Sequence, residues 1–197
     1  MIFDYPEHRP ERRHGPDGYT AYESYRPWLR DEFTFRCVYC LKRETWGQVT
    51  CEFELDHFEP QSIAPSRKLD YFNLVYACRR CNSVKLNQPI ANPLELLAAT
   101  PVTVLPDGEL VASHSESRRL IRQLDLNSPA LIRWRVTWLR IVDLARDRDP
   151  SLYRQLIGFP DDLPDLTHLR PPKNNRPEGI EASWHARKLR GELPAGY

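Results

Sequence analysis

At 197 residues, 41% hydrophobic and 28% charged, the chain has an ordinary globular composition and a length that suits one sizeable core with extensions. Its apolar runs fall short of the ~20 residues a membrane span requires, and the basic N-terminal stretch has no apolar segment, so we expect a cytoplasmic protein without a membrane partner. A net charge of +1 with a pI near 7.7 decides nothing about polyanions, but charge is regional: from Ser117 to Arg148 eight Arg stand against three Asp, with no Glu or Lys.

Residues 1–27, rich in Pro, Arg, His, Gly and Tyr without periodicity, read as an irregular arm. An organised core is expected over 28–92. Within it GQVTCEFELDHF (47–58) alternates, with Val49, Cys51, Phe53 and Leu55 on one side and Thr50, Glu52 and Glu54 on the other, which predicts a half-buried strand. A loop follows, then FNLVYAC and a short helix through Asn82, Lys85 and Leu86 that stops before Pro89. Residues 93–150 predict a helical extension. Its parts are a short LELLAA helix, a hairpin VTVLPDGELVA turning at Pro106-Asp107-Gly108, and a helix from about Ser115 to Leu126. Ser128 then reads as an N-cap with Pro129 at the first helical position. Leu131, Trp134, Trp138, Ile141, Val142 and Ala145 form an apolar stripe at helical spacing, predicting a helix of some twenty residues that ends near Asp149 and carries Arg133 and Arg140 outside. Residues 151–197 read as a proline-rich tail, with one short helix at ASWHARKLR.

Five cysteines fit a disulfide framework poorly, and four of them fall in two identical pairs, Cys37-Val-Tyr-Cys40 and Cys78-Arg-Arg-Cys81. Two such pairs separated by a hairpin-sized segment point to a structural Zn²⁺ with four thiolate ligands, a closed site whose binding energy is linked to folding. Cys51 is left over and is expected to be a small buried hydrophobe. His8, His14, His114, His168 and His185 have no ligand-like spacing.

Between the cysteine pairs stands LDHFEP, then a loop, then NLVYACRRCNSVK. This pattern resembles the HNH endonuclease family, specifically members in which a four-cysteine zinc site is interleaved with an Asp-His, Asn, Asn motif. The resemblance is specific over about Arg36 to Asn87 and persists more weakly to about Arg135. It implies an α+β fold, a small zinc-stapled hairpin-plus-helix (ββα-metal, treble-clef-like) core with additional helices. It further implies that Asp56 and Asn82 hold a catalytic divalent ion, that His57 is the general base, and that Asn73 braces the intervening loop. Cleavage of double-stranded DNA to a 5′-phosphate and a 3′-hydroxyl is the implied activity.

The chemistry is coherent on the residues alone. Phosphodiester hydrolysis needs a water, a base for its proton, and positive charge at the scissile phosphate. A His with an ordinary pKa of about 6.5 serves as the base at neutral pH. Oxygen donors favour Mg²⁺ or Mn²⁺. One difficulty stands out: in a regular strand Asp56 and His57 point to opposite faces, so either a bulge or a metal at the strand edge beside the helix is required. Lys85, one helical turn after Asn82, is expected to reach a phosphate, as are Arg79 and Arg80 in the second cysteine pair and Arg133 and Arg140 on the basic helix. Trp134 and Trp138, on the apolar stripe, are expected in the core. The alternative from another class is a non-catalytic zinc module that binds nucleic acid or a protein partner. A third reading is an effector of a restriction or anti-phage complex that docks through the tail.

Overall fold

The structure, a computed structural model, describes residues 2–6, 12–46, 53–97 and 102–197. Cys51 and the first half of the expected strand, residues 47–52, lie outside them, as do His8 and the last two residues of the LELLAA segment.

A helical turn at Tyr22–Tyr25 leads into α1 (Arg26–Glu32), whose Pro27 sits in the first turn where a missing N–H costs nothing. Trp28 and Leu29 are wholly buried, and α1 packs on the sheet. The sheet is two antiparallel strands, β1 (Phe53–His57) and β2 (Leu74–Cys78), in unbroken register from Phe53 opposite Cys78 to His57 opposite Leu74. Leu55 and all five residues of β2 are buried, since helix and loops cover both faces. With Cys78 as its N-cap, α2 (Arg79–Lys85) starts where β2 ends. It ends at Leu86, whose φ of 51° lies in the left-handed region and breaks the helical path before Pro89.

Beyond this ββα unit come α3 (Pro93–Leu96) and a hairpin of β3 (Val102–Val104) and β4 (Leu110–Ala112). The hairpin turns at Gly108, φ 85°, where a side chain would meet the Ile132 carbonyl oxygen at 2.7 Å. Next is α4 (Ser115–Gln123), closed by Asp125 at φ 49° and followed by the buried Leu124 and Leu126. The long helix is α5 (Pro129–Arg148), close to the span its stripe predicts. Trp138 stacks on Trp46 with ring centroids 4.5 Å apart and planes 7° off parallel, and Trp134 lies 6.0 Å from the same ring. Both tryptophans therefore belong to the core packing. Ile141, expected on the stripe, is exposed on the far side. Ser128 occupies the N-cap position without capping; its hydroxyl accepts from Arg80 Nη2 at 3.2 Å.

The C-terminal part carries more regular structure than a proline-rich tail with one short helix. A helix, α6 (Pro150–Ile157), follows α5 directly, with Asp149 Oδ1 accepting from the backbone N–H of Ser151 and Leu152. The expected helix at ASWHARKLR is α7 (Trp184–Leu189). Its Trp184 donates through the backbone N–H to Asp31 Oδ1 at 2.8 Å and through Nε1 to the Asp31 carbonyl at 3.1 Å. His14 Nε2 lies 2.9 Å from Asp31 Oδ2, so the first and last segments meet on one buried aspartate of α1. A segment held this way is part of the fold, which leaves less of it to dock elsewhere. The architecture is α+β, two small hairpins among helices, and no helix among the described residues is long and apolar enough to cross a membrane.

Candidate active site and metal centre

The turn between Arg36 and Arg43, which form an isolated antiparallel bridge, brings Cys37 and Cys40 together. Cys37 N–H donates to the Lys42 carbonyl at 2.9 Å, Leu41 takes a φ of 60°, and Val38 N–H donates to the Tyr76 carbonyl of β2 at 2.9 Å, which hangs the turn on the sheet. Cys78 and Cys81 come from the end of β2 and the first turn of α2. All four thiols are buried and free, their sulfurs lie within 4.8 Å of one another, and Cys40 Sγ and Cys78 Sγ are 3.7 Å apart. A tetrahedron with arms of about 2.3 Å has edges of about 3.8 Å, so the cluster fits a tetrahedral zinc ion. Hydrogen bonds from the other thiols hold Cys78 below the ordinary thiol range, while burial pushes Cys37 above it. Four buried thiols cannot all ionise without a cation among them.

The cluster, the hairpin and the following helix form a zinc-type ββα unit, and residues 37–88 match the family model described as HNH endonuclease. This segment is similar to the HNH family. No curated protein matches the chain.

In the HNH unit, Glu54 and Asp56 alternate onto the face of β1 that α2 crosses. Glu54 accepts from Asn82 Nδ2 at 2.6 Å and from Arg79 Nε at 3.1 Å. Asp56 is buried, accepting from Tyr39 Oη at 2.6 Å on one oxygen and from Lys85 Nζ at 2.8 Å on the other. Lys85 Nζ also donates to the His57 carbonyl at 2.7 Å. His57 ends the strand with its ring pointing to the loop, Nε2 lying 2.8 Å from the Lys68 carbonyl and Nδ1 3.3 Å from Gln61 Nε2. A carbonyl only accepts, so Nε2 carries the hydrogen and Nδ1 holds the lone pair, which accepts from Gln61 Nε2. Tyr22 packs edge-on against the ring at 4.8 Å. Burial, which disfavours the imidazolium, moves the His57 pKa below its ordinary value.

Asn73, wholly buried, spans the loop after His57: its Nδ2 donates to the Glu59 carbonyl at 3.0 Å and its Oδ1 accepts from Glu59 N–H at 3.1 Å. Asp56, His57 and Asn82 line one cleft of about 450 Å³, together with Gln61, Ser83 and Lys85. The strand register runs through Asp56 and His57 without a bulge. Their shared cleft comes instead from their place at the strand end beside α2.

The expected nucleic-acid contacts divide. Lys85 is 1% exposed and ion-paired to Asp56, so it does not reach outward to a phosphate. It lies too deep, one turn after Asn82 on the face turned to β1. Arg80 is likewise engaged, donating to the Leu124 and Asp125 carbonyls at 2.9 Å each and pairing with the Asp125 carboxylate at 3.0 Å. Arg79 is exposed beside Glu54, and Arg133 and Arg140 are exposed on α5. Another arginine of the basic run, Arg135, is buried, its guanidinium donating to the carbonyls of Gly108 and Leu126.

The sequence reading missed Tyr39, Glu54, Gln61 and Tyr22. For Glu54 the alternation that places it two residues before Asp56 was available; for Tyr39, inside a cysteine pair 17 positions from Asp56, no local pattern was.

Proposed function

We propose that this protein is a metal-dependent endonuclease that hydrolyses phosphodiester bonds in double-stranded DNA. Zinc in the four-cysteine cluster serves structure, His57 is the general base, and Asp56 and Asn82 hold a Mg²⁺ or Mn²⁺ ion. The observation that carries this reading is that a buried carboxylate, an amide side chain and a neutral imidazole open on one cleft of an HNH unit. The donor set fits a hard cation: Asp56 offers carboxylate oxygens, and Asn82, with its Nδ2 spent on Glu54, offers its amide oxygen. When bound, such an ion supplies positive charge beside the scissile phosphate and the departing oxygen.

The chain's own residues supply the rest. His57 takes the proton of the attacking water at Nδ1, where Gln61 marks a hydrogen-bonding position, and the Lys68 carbonyl keeps the ring in the tautomer this requires. Asn73 stiffens the loop that carries Gln61 and Lys68. Arg79, Arg133 and Arg140 contact backbone phosphates, which gives affinity without base recognition.

One observation favours a second reading. Both Asp56 oxygens already have donors, and the Lys85 ammonium is a resident cation where an ion would sit, which suits a non-catalytic module that binds nucleic acid. Supercoiled plasmid incubated with the zinc-loaded protein across a Mg²⁺, Mn²⁺ and Ca²⁺ series separates the two. Nicking or linearisation with Mg²⁺ or Mn²⁺ that His57→Ala abolishes is the expected result. Plasmid that is bound and stays intact with every metal decides for the binding module.

A further inference from the structure

Away from the HNH cleft, Arg36 and Arg43 are cross-strand neighbours, and both guanidinium groups lie over the ring of Tyr197, at 5.0 and 4.4 Å. Arg43 is 3% exposed, its Nη1 donating to the Ile157 carbonyl at 3.0 Å. The Nε atoms of both arginines are buried with no hydrogen-bond partner, and the one carboxylate whose charge acts on Arg36 is that of Asp4. Burial and the adjacent Arg36 push the Arg43 pKa down to about 9, which still leaves it charged at neutral pH. Two like charges this close, Arg43 buried and Arg36 half-buried, are costly, and an anion between them would offset much of that cost.

The space for one is present. Both guanidinium groups line a cleft of about 770 Å³ between the cysteine turn, α5 and α6, a volume within the ordinary range of small-molecule sites. Arg140 and Arg146 line it from α5, against the acidic Asp4 and Asp143. Asp143 is spent on Arg146, to which it pairs at 2.8 Å. The lining thus carries a net charge of +2. A phosphate monoester carries about −1.5 to −2 at neutral pH and offers three acceptor oxygens to guanidinium donors, a better match than a monoanionic carboxylate.

We propose that this cleft is a binding site for a phosphate monoester, with Arg36 and Arg43 as its charged floor. The group arrives either on a free mononucleotide or at the 5′ end of a nucleic-acid strand. The proposal does not rest on the nuclease reading, since none of these residues touches Asp56, His57 or Asn82.

The test uses the full, zinc-loaded chain without added Mg²⁺, titrated with inorganic phosphate, adenosine 5′-monophosphate, and one short oligonucleotide with either a 5′-phosphate or a 5′-hydroxyl. Trp46, 5.3 Å from the Arg43 guanidinium, is a fluorescent reporter. Binding of the mononucleotide assigns a free ligand. A preference for the 5′-phosphorylated oligonucleotide with no mononucleotide binding assigns a strand end. Either is expected to weaken at least tenfold in Arg43→Met and in Arg36→Met, at unchanged zinc content and circular dichroism. In the wild type, saturating ligand is expected to protect Arg36, the more exposed of the two, from an arginine-selective dicarbonyl reagent, a readout that stands if a variant fails to fold. The proposal is overturned if no phosphate compound binds and the two oligonucleotides behave alike, if affinity survives both substitutions, or if Arg36 is not protected.

Discussion

Tyr39, inside the first cysteine pair, donates its hydroxyl to Asp56 Oδ2 at 2.6 Å, so the metal-binding turn and the proposed catalytic carboxylate share one buried hydrogen bond. Burial, and then the neighbouring Asp56 charge, raise the Tyr39 pKa, which keeps the phenol a donor. Through this bond the zinc turn sets where one carboxylate oxygen can point.

Removing that hydroxyl should therefore disturb the cleft without opening the cysteine cluster. Tyr39→Phe leaves a buried carboxylate short of one donor, a loss of about 1 to 3 kcal/mol in unfolding free energy. Zinc stoichiometry should stay at one per chain, while Mn²⁺ affinity changes, since Asp56 is freed to move toward Lys85. Denaturant melts together with Mn²⁺ titration check this. Unchanged stability and unchanged Mn²⁺ binding would show that the bond does no positioning.

Lys85 gives a second prediction, because its ammonium neutralises Asp56 at a buried position on the cleft floor. Lys85→Met breaks a buried pair from one side and should cost about 3 to 5 kcal/mol. A divalent ion offers Asp56 a replacement charge, so the variant's melting temperature should rise steeply with Mn²⁺ while the wild type responds less. Calorimetric scans of both proteins across a Mn²⁺ series measure the difference. Equal responses would mean that no divalent ion reaches Asp56.

Much of the ββα unit was legible because its cues are local. The cysteine spacing, the alternation of Phe53, Glu54 and Leu55, and Pro89 after α2 each act over a few residues, and together they fix the metal turn, the strand and the end of the helix. What escaped depends on long-range approach. Lys85 looks like a surface lysine until β1 lies across α2, and its depth follows from that crossing. Arg80 looks free until the residues after α4 come within reach of its guanidinium. The C-terminal segment reads as irregular for its prolines, yet Asp149 and Pro150 are a good helix start, and Trp184 finds Asp31 only in three dimensions.

Loss of the metal from the cysteine cluster should unfold more than the turn that carries it. The cluster joins the turn at 37–40 to the β2–α2 junction, and Val38 and Tyr39 carry that link to Tyr76 and Asp56. Cys78→Ser removes a ligand at the helix start, so the chain should lose its zinc and its cooperative melt together. Elemental analysis of the wild type should find about one zinc per chain, and a strong chelator should abolish the thermal transition. A folded, zinc-loaded Cys78→Ser protein contradicts the linkage.

The sharpest prediction concerns His57, because its environment fixes both a tautomer and a direction of pKa shift. With Nε2–H held by the Lys68 carbonyl, proton transfer runs through Nδ1, and activity requires that nitrogen unprotonated. Burial lowers the His57 pKa from its ordinary 6.5, so the acid limb of kcat/KM should have its midpoint below that value. The same shift has a sign for folding: the unfolded chain takes up the proton first as pH falls, so stability drops from about pH 6.5 downward until the folded ring also protonates, and is flat above. His57→Ala should remove this pH-dependent part of stability and cut the cleavage rate by about 10²-fold or more, with zinc content and DNA affinity retained. Asp56→Ala, by contrast, should lose Mn²⁺ binding along with cleavage and leave the Lys85 ammonium buried without its partner. Initial rates and melts of the three proteins between pH 5 and about 8 distinguish base from ligand. If His57→Ala folds and cuts at the wild-type rate, His57 is not the base, and the cleft works by another route.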